Sequence, residues 1–448
     1  RLEDGEVEFL FLAPEQLANA EVRAELEAVA PSLLVVDEAH CISEWGHDFR
    51  PDYLRIGPLI EQLGHPVTLA LTATAAPPVR REIVERLGLR DPCTLVRGFD
   101  RPNIRLAVER HYEAHHKDAA LRAHVDELTK PGIVYVATRK HAEEVAEDLR
   151  ESGITAVAYH AGLRAAERET TQEAFMADSI EVIVATTAFG MGVDKANVRF
   201  VFHYEISESV DSLYQELGRS GRDGLPANGT LFYRTEDLGI RRFFAGGGQV
   251  DGDQIRVVAA VVSRSDGPVD PVELGEVANL SQTKLITAVS RLEDVGAVKV
   301  LPNGFIAEKD GHPGMAQAAE EAAGLQVQRE EFDRSRTQMM QAYAEHDGCR
   351  RHFLLSYFGE DFEPPCGNCD NCEAGALAAD NGHEPFAVGS RVEHLKWGGG
   401  LVQRYEDDSV VVLFDSVGYK TLGLDLVVER GLLEPEAPGA AAAADAAA

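Results

Sequence analysis

Two adjacent carboxylates, Asp37 and Glu38, follow the apolar run Leu33-Leu34-Val35-Val36 and precede Ala39-His40. One carboxylate at such a strand end can hold the water shell of Mg²⁺, and the next can orient or deprotonate an attacking water. The ordinary alternative is an acidic helix start, where Asp and Glu are common. Later comes Gln215-Glu216-Leu217-Gly218-Arg219-Ser220-Gly221-Arg222-Asp223-Gly224. Arg219 and Arg222 are three apart, so on a helix they share a face that can present fixed positive charge to a phosphoryl group. Surface ion pairing is the bland reading of any Arg-x-x-Arg. A third constellation is Cys349, Cys366, Cys369 and Cys372, crowded together while Cys41 and Cys93 stand alone. Four thiolates are the complement of a closed tetrahedral Zn²⁺ site, and four cysteines can also hold an iron–sulfur cluster.

Such residues need a frame that delivers them to an edge. In residues 1–100 the short apolar runs Phe9–Ala13, Leu33–Val36 and Val67–Ala70 alternate with helical patterns. The alternation recurs from 132 to 235. There Ile133–Ala137, Ala156–Tyr159, Val182–Ala185, Phe200–His203 and Thr230–Tyr233 read as strands, with Lys140–Glu151 and Arg164–Ala177 as helices between them. Strands this uniformly apolar are expected to be buried on both faces of a parallel sheet flanked by helices, with ligands at its carboxyl edge. The fold class expected is therefore α/β, in two successive units over 1–100 and 101–245 joined near Arg101–His115. Beyond Gly246–Gly248 the texture changes. Residues 250–312 read as a small helical module ending in a hairpin turned at Pro302-Asn303-Gly304. A long helix from Met315 to about Tyr343 opens a helical, cysteine-bearing module over 313–373. Residues 374–385 read as a linker, 386–434 alternate as a small β-barrel would, and the Ala/Pro-rich 435–448 reads as a disordered tail.

The chain has 448 residues, 44% of them hydrophobic, which supports real cores and excludes wholesale disorder. No apolar stretch approaches the run of about 20 residues that spans a bilayer, and Arg1 to Glu8 carry no secretory h-region. A cytoplasmic location is expected. The net charge of −32 is awkward for a nucleic-acid protein, since phosphate contacts need Lys and Arg, although an acidic whole can carry a basic track.

The residues around the carboxylates carry a specific likeness. Cys41-Ile42-Ser43-Glu44-Trp45-Gly46-His47-Asp48-Phe49-Arg50-Pro51 follows Asp-Glu-Ala-His directly. Together they resemble the RecQ branch of superfamily 2 helicases, whose aromatic-rich loop links DNA contact to hydrolysis. Further segments resemble the family in its own order: Phe11–Glu15, Leu71-Thr72-Ala73-Thr74-Ala75, Gly98–Ile104, Val184–Asp194 and Gln215–Gly224. Pro365–Cys372 with Cys349-Arg350-Arg351 resembles the family's zinc subdomain. The resemblance implies two RecA-like parallel-sheet motor domains, the first incomplete here, plus winged-helix-like, zinc-binding and small β-barrel modules. It implies Asp37 for Mg²⁺ with ATP, Glu38 for the water, and His40, Gln215, Arg219 and Arg222 as further catalytic residues. DNA contact is implied for Trp45, His47, Phe49, Arg50, Thr72, Thr74 and Thr186, and coupling for Asp194 and Gly192. Structural Zn²⁺ is implied at the four cysteines. Arg350 and Arg351 can face DNA or cap the preceding helix.

Three features depart from or extend that pattern. The dipeptide Gly-Lys of a phosphate-gripping P-loop occurs nowhere, and the sequence starts with Arg, so a piece of a longer parent is expected, with negligible ATP hydrolysis on its own. The winged-helix-like module precedes the zinc cysteines, whereas the family usually places it after. Residues 254–310 carry six Lys/Arg against eight Asp/Glu, so packing against the motor competes with DNA binding. Residues 386–434 resemble the Tudor/SH3-like barrel at the C-terminus of UvrD/PcrA helicases, which implies docking to a protein such as RNA polymerase or a repair factor. The parent is expected to be a nucleoid-associated 3′→5′ helicase on single-stranded and branched DNA, serving recombination and repair. An RNA helicase of the Asp-Glu-Ala-Asp/His type and a docking module without motor activity are the rivals.

Overall fold

The computed structural model describes the chain apart from residues 1–6, 44–48, 191–192, 240–249, 266, 302–303, 310, 313, 376–384, 387–389, 407, 415 and 436–448. It divides into two compact units, one made of residues 1–95 with 245–334 and the other of 96–244 with 335–448.

In the first unit Leu33–Val36 pairs in parallel with Val67–Ala70, Leu33 opposite Val67 and Val36 opposite Ala70. One face of this pair is closed by a core that includes Val36, Ala39, Ile42, Ile56, Ile60, Val79 and Ile83, drawn from the strand end and the helices Ile56–Gln62 and Pro77–Arg86. Among the described residues nothing covers the other face. Leu33 and Val35 are 51% and 48% exposed, and Val67 and Leu69 71% and 45%. Among the described residues this sheet is thus buried on one face, where burial on both was expected. Phe9–Ala13, expected as a strand, joins no ladder among the described residues, and Phe9 and Phe11 are exposed.

The same unit contains a three-helix module. Helices Gly252–Arg264, Pro271–Ala278 and Gln282–Asp294 lead into the hairpin Val298–Val300/Ile306–Glu308. Asn279 ends the second helix in the left-handed conformation and Ser281 caps the third through Lys284 N, so the turn between them is set locally. Pro302 and Asn303 of the expected hairpin turn lie outside the described residues. Met315, Ala318, Ala319 and Ala322 of the helix Met315–Glu345 complete this module's core.

The second unit is built on a six-stranded parallel sheet ordered Ile104–Arg110, Ala227–Tyr233, Phe200–His203, Gly132–Tyr135, Val182–Ala185, Ala156–Tyr159. Three of its strands are buried at every position. Helices Ala114–Glu127 and Arg139–Glu151 cover one face with Leu121, Val125, Ala142, Ala146 and Leu149. The strand Ile104–Arg110 lies where the sequence suggested only a joint. Its edge is occupied by the cysteine segment, Leu106 N donating to Asn368 O at 3.3 Å and Val108 N to Asp370 Oδ2 at 2.9 Å.

After the cysteines comes a five-stranded antiparallel sheet ordered 418–423, 409–414, 398–406, 391–394, 433–435. Gly400 is required there, since a Cβ would lie 2.7 Å from the Phe414 ring. This sheet packs on the helix Arg350–Tyr357: Tyr419 stacks on Tyr357 with ring centroids 5.4 Å apart, and the buried Arg404 guanidinium lies 3.8 Å from the Phe353 centroid.

Candidate functional site

The strand Leu33–Val36 ends at Asp37, and Glu38 takes the left-handed conformation (φ 48°, ψ 44°) that breaks the extended backbone. A non-glycine residue there is strained, and the strain is offset locally by Asp37 Oδ1, which accepts from Glu38 N at 2.9 Å. Asp37 is exposed and Glu38 half-buried. The Tyr53 hydroxyl donates to Asp37 O at 3.2 Å, and burial pushes its pKa up to about 12, so it stays a donor.

Parallel pairing carries this strand end beside the next one: Leu71 N donates to Val36 O and Ala39 N to Leu71 O. That neighbour delivers Thr72 and Thr74 to the carboxylates. The buried His40 ring sits between them, with Nδ1 at 2.9 Å from Thr72 Oγ1 and 3.3 Å from Glu38 Oε2. Thr72 Oγ1 already donates to Thr74 O at 3.1 Å, so it faces His40 as an acceptor, as does the Glu38 carboxylate. The Thr72 acceptor assigns a proton to Nδ1. Glu38, His40, Thr72 and Thr74 thus form one polar chain, hydrogen-bonded from His40 to Thr74 and joined to Glu38 by the 3.3 Å contact. The Thr74 hydroxyl is buried beside it with no partner among the described residues.

Trp45 and His47 lie outside the described residues. Phe49 carries the Arg329 guanidinium 4.6 Å above its ring, and Arg50 N donates to Cys41 O. The root of this loop is held by Ser43 Oγ, which donates to the buried Glu82 at 2.6 Å.

In the second unit Thr186 follows the strand Val182–Ala185, and Gly192 lies outside the described residues. Asp194 pairs with Arg222 at 2.6 Å. The helix Val210–Leu217, which carries Gln215, stops at Gly218, so Arg219 and Arg222 lie in the turn after it. Arg219 turns inward to donate to Gly190 O and is buried, whereas Arg222 points out to Asp194. The shared helical face expected for the two guanidiniums is not formed, because Gly218 ends the helix before either residue.

The four cysteine sulfurs lie within 4.8 Å of one another, Cys349 and Cys369 buried, Cys366 and Cys372 half-buried. Asn368 N and Cys372 N point at the sulfurs of Cys366 and Cys369 at 3.4 and 3.5 Å, fixing their positions. Four sulfurs this close cannot all ionise alone: their hydrogen bonds pull Cys369 down to about 4 and push Cys349 up. A divalent cation relieves that conflict, and four thiolates fit structural zinc. Sequence reasoning left Arg350 open and missed Asp370. Arg350 is buried, donates to both Asp370 oxygens at 3.1 and 3.2 Å, and caps the long helix at Tyr343 O. Arg351 is buried on Asp100 and Ile104 O. Both guanidiniums are buried among these partners.

The chain matches the family models for the DEAD/DEAH box helicase over residues 1–82, the helicase conserved C-terminal domain over 116–224 and RecQ zinc-binding over 310–373. It is 34% identical over 372 residues to the ATP-dependent DNA helicase RecQ of Pasteurella multocida, covering 83% of this chain and 46% of that protein. It is 34% identical over 368 residues to the probable ATP-dependent DNA helicase RecS of Bacillus subtilis, covering 81% of this chain and 71% of that protein. The ATP-dependent DNA helicase Q5 of Rattus norvegicus is 43% identical over 248 residues, 51% of this chain and 25% of that protein. The chain spans about half the length of the RecQ helicases of Pasteurella multocida, Haemophilus influenzae and Bacillus subtilis that it matches. With helicase and zinc models on one polypeptide, and a relative matched over more than two thirds of its length, the chain belongs to the RecQ family of helicases.

Proposed function

We propose that this chain is part of an ATP-dependent DNA helicase that moves 3′→5′ on single-stranded DNA and serves recombination and repair. The observation that carries the reading is the polar chain Glu38–His40–Thr72–Thr74, in which His40 contacts Glu38 and is hydrogen-bonded to Thr72. It joins a carboxylate suited to preparing water with threonines at the next strand end, so a change at one is felt at the other. Asp37, exposed beside them, would hold the Mg²⁺ that ATP brings, and the ion would neutralise charge on the transferred phosphoryl group. Glu38 orients the water and accepts its proton. His40 holds the Glu38 carboxylate through Nδ1 and passes its position to Thr72. Arg222, freed from Asp194, supplies the mobile positive charge, and Arg219 holds the Gly190 backbone in place. Phe49 and Arg50, with Trp45 and His47, meet the DNA strand, and Thr186 contacts its backbone. The four cysteines hold a structural Zn²⁺.

The test uses the longest natural polypeptide that contains this chain. Single-stranded DNA is expected to stimulate its ATP hydrolysis, RNA much less, and Glu38→Gln to lower kcat by about 100-fold or more with ATP binding retained. His40→Ala is expected to lower basal hydrolysis and to remove most of the DNA stimulation. Equal stimulation by RNA and DNA, or an unaffected Glu38→Gln variant, overturns the reading.

A further inference from the structure

The helical module of the first unit carries an open groove of about 1060 Å³, floored by Leu280, Leu285, Val289 and Ile306 and walled by Val272 and Ile286. Val272 and Ile286 are 71% and 62% exposed, and Val300 beside them is also exposed. An aliphatic surface of this kind on a module of winged-helix shape is the wrong chemistry for a phosphate backbone.

The charges agree. The helix Gln282–Asp294, which would be the reading helix of a DNA-binding module, has two cations, and both are engaged internally. Lys284 Nζ donates to Gln254, and the buried Arg291 donates to Gln326 and Asp294. Asp52, Glu276 and Glu293 line the groove against a single Arg55, itself paired with Asp52 at 3.2 Å and 3.9 Å from Glu293. A phosphate strand laid here meets carboxylates. A polypeptide with aliphatic side chains and neighbouring Lys or Arg meets a complementary floor and rim. The lining comes from side chains of two helices and a hairpin, so recognition runs through a spaced pattern of apolar side chains, as when an amphipathic helix enters a groove.

We propose that this groove is a docking site for a basic amphipathic helix of a partner protein, its aliphatic stripe seated between Val272 and Ile286 and its Lys/Arg flanks facing Asp52, Glu276 and Glu293. This goes beyond the helicase reading and uses none of its residues.

The experiment measures fluorescence anisotropy of the full chain with a labelled Leu/Lys peptide of roughly 18 residues, its leucines at i, i+3, i+4 and i+7. A scrambled peptide of identical composition controls for attraction to the acidic protein. The patterned peptide is expected to bind at least about tenfold more tightly than the scramble. That gap should close in the Val272→Ser/Ile286→Ser double variant, in which both altered side chains are exposed and the thermal unfolding profile is expected to be kept. Equal binding of the two peptides, or a gap that survives in the variant, overturns the proposal. So does a variant that loses duplex DNA binding, or one that dissociates a dimer seen by sedimentation, which would assign the face to DNA or to a second copy. Neither outcome touches the helicase reading, because no nucleotide enters the measurement.

Discussion

The two parallel sheets are written in nearly the same letters and end in opposite circumstances. Leu-Leu-Val-Val at 33–36 leaves two of its four side chains about half in solvent, while Val-Ile-Val-Ala at 182–185 is wholly buried. The second sheet receives helices on its face and the cysteine segment along its outer strand, so an edge that would otherwise invite pairing is closed. Among the described residues the first receives helices on one face only. Apolar run length thus states what a strand prefers, while coverage depends on elements far away in sequence.

That contrast can be broken by experiment. The largest effect is expected from Cys369→Ser. Structural zinc of this type contributes on the order of 10 kcal/mol to the fold it holds. Zinc by mass spectrometry should fall from one per chain to near zero, and amide exchange in Ile104–Arg110 should rise. An unchanged exchange pattern would mean that the segment does not cover the sheet. Next, Phe202→Ala removes a ring packed on Phe200 and Phe232 and should cost about 3–5 kcal/mol in urea unfolding. Val35→Ala on the bare face of the first sheet should cost under about 1 kcal/mol. Comparable losses from the two would erase the distinction. Third, Val35→Ser with Leu69→Ser should lower binding of a hydrophobic dye with little change in the unfolding midpoint.

The smallest effect concerns pH and the second sheet alone. Hydrogen bonding to Glu109 holds His124 above its ordinary 6.5, and the same bond holds Glu109 below its ordinary 4.5. The histidine contribution is complete below its unfolded pKa and is lost as pH rises through the raised folded value. The glutamate contribution is present above its unfolded pKa and lost in acid. Glu109→Gln should therefore cost more stability at pH 6 than at pH 8.5, as read from thermal midpoints at the two values. A cost that grows with pH contradicts the pairing.

Much of this was legible in the residues. The strands at 33–36, 67–70, 156–159, 182–185 and 200–203 fall where the apolar runs lie, and the cysteine spacing foretold a cluster whose sulfurs do converge. What spacing could not carry was contact between strands. The His40–Thr72 bond exists because Leu33–Val36 and Val67–Ala70 are neighbours in one sheet, a fact of topology. The Arg219/Arg222 geometry was misread because i, i+3 logic holds only while the helix lasts, and Gly218 ends it. The fates of Arg350 and Arg351 were open because a buried guanidinium needs partners from remote segments, here Asp370, Asp100 and Ile104.

Arg350 shows what such a partnership entails. Its planar fork reaches both oxygens of Asp370 and a helix carbonyl at once, while Asp370 also receives Val108 N from the sheet. Lysine preserves the charge but concentrates it on a single nitrogen that cannot reach all three oxygens. An exchange that looks conservative on paper would strand a carboxylate in the interior and loosen a helix end, a metal loop and a strand with one codon.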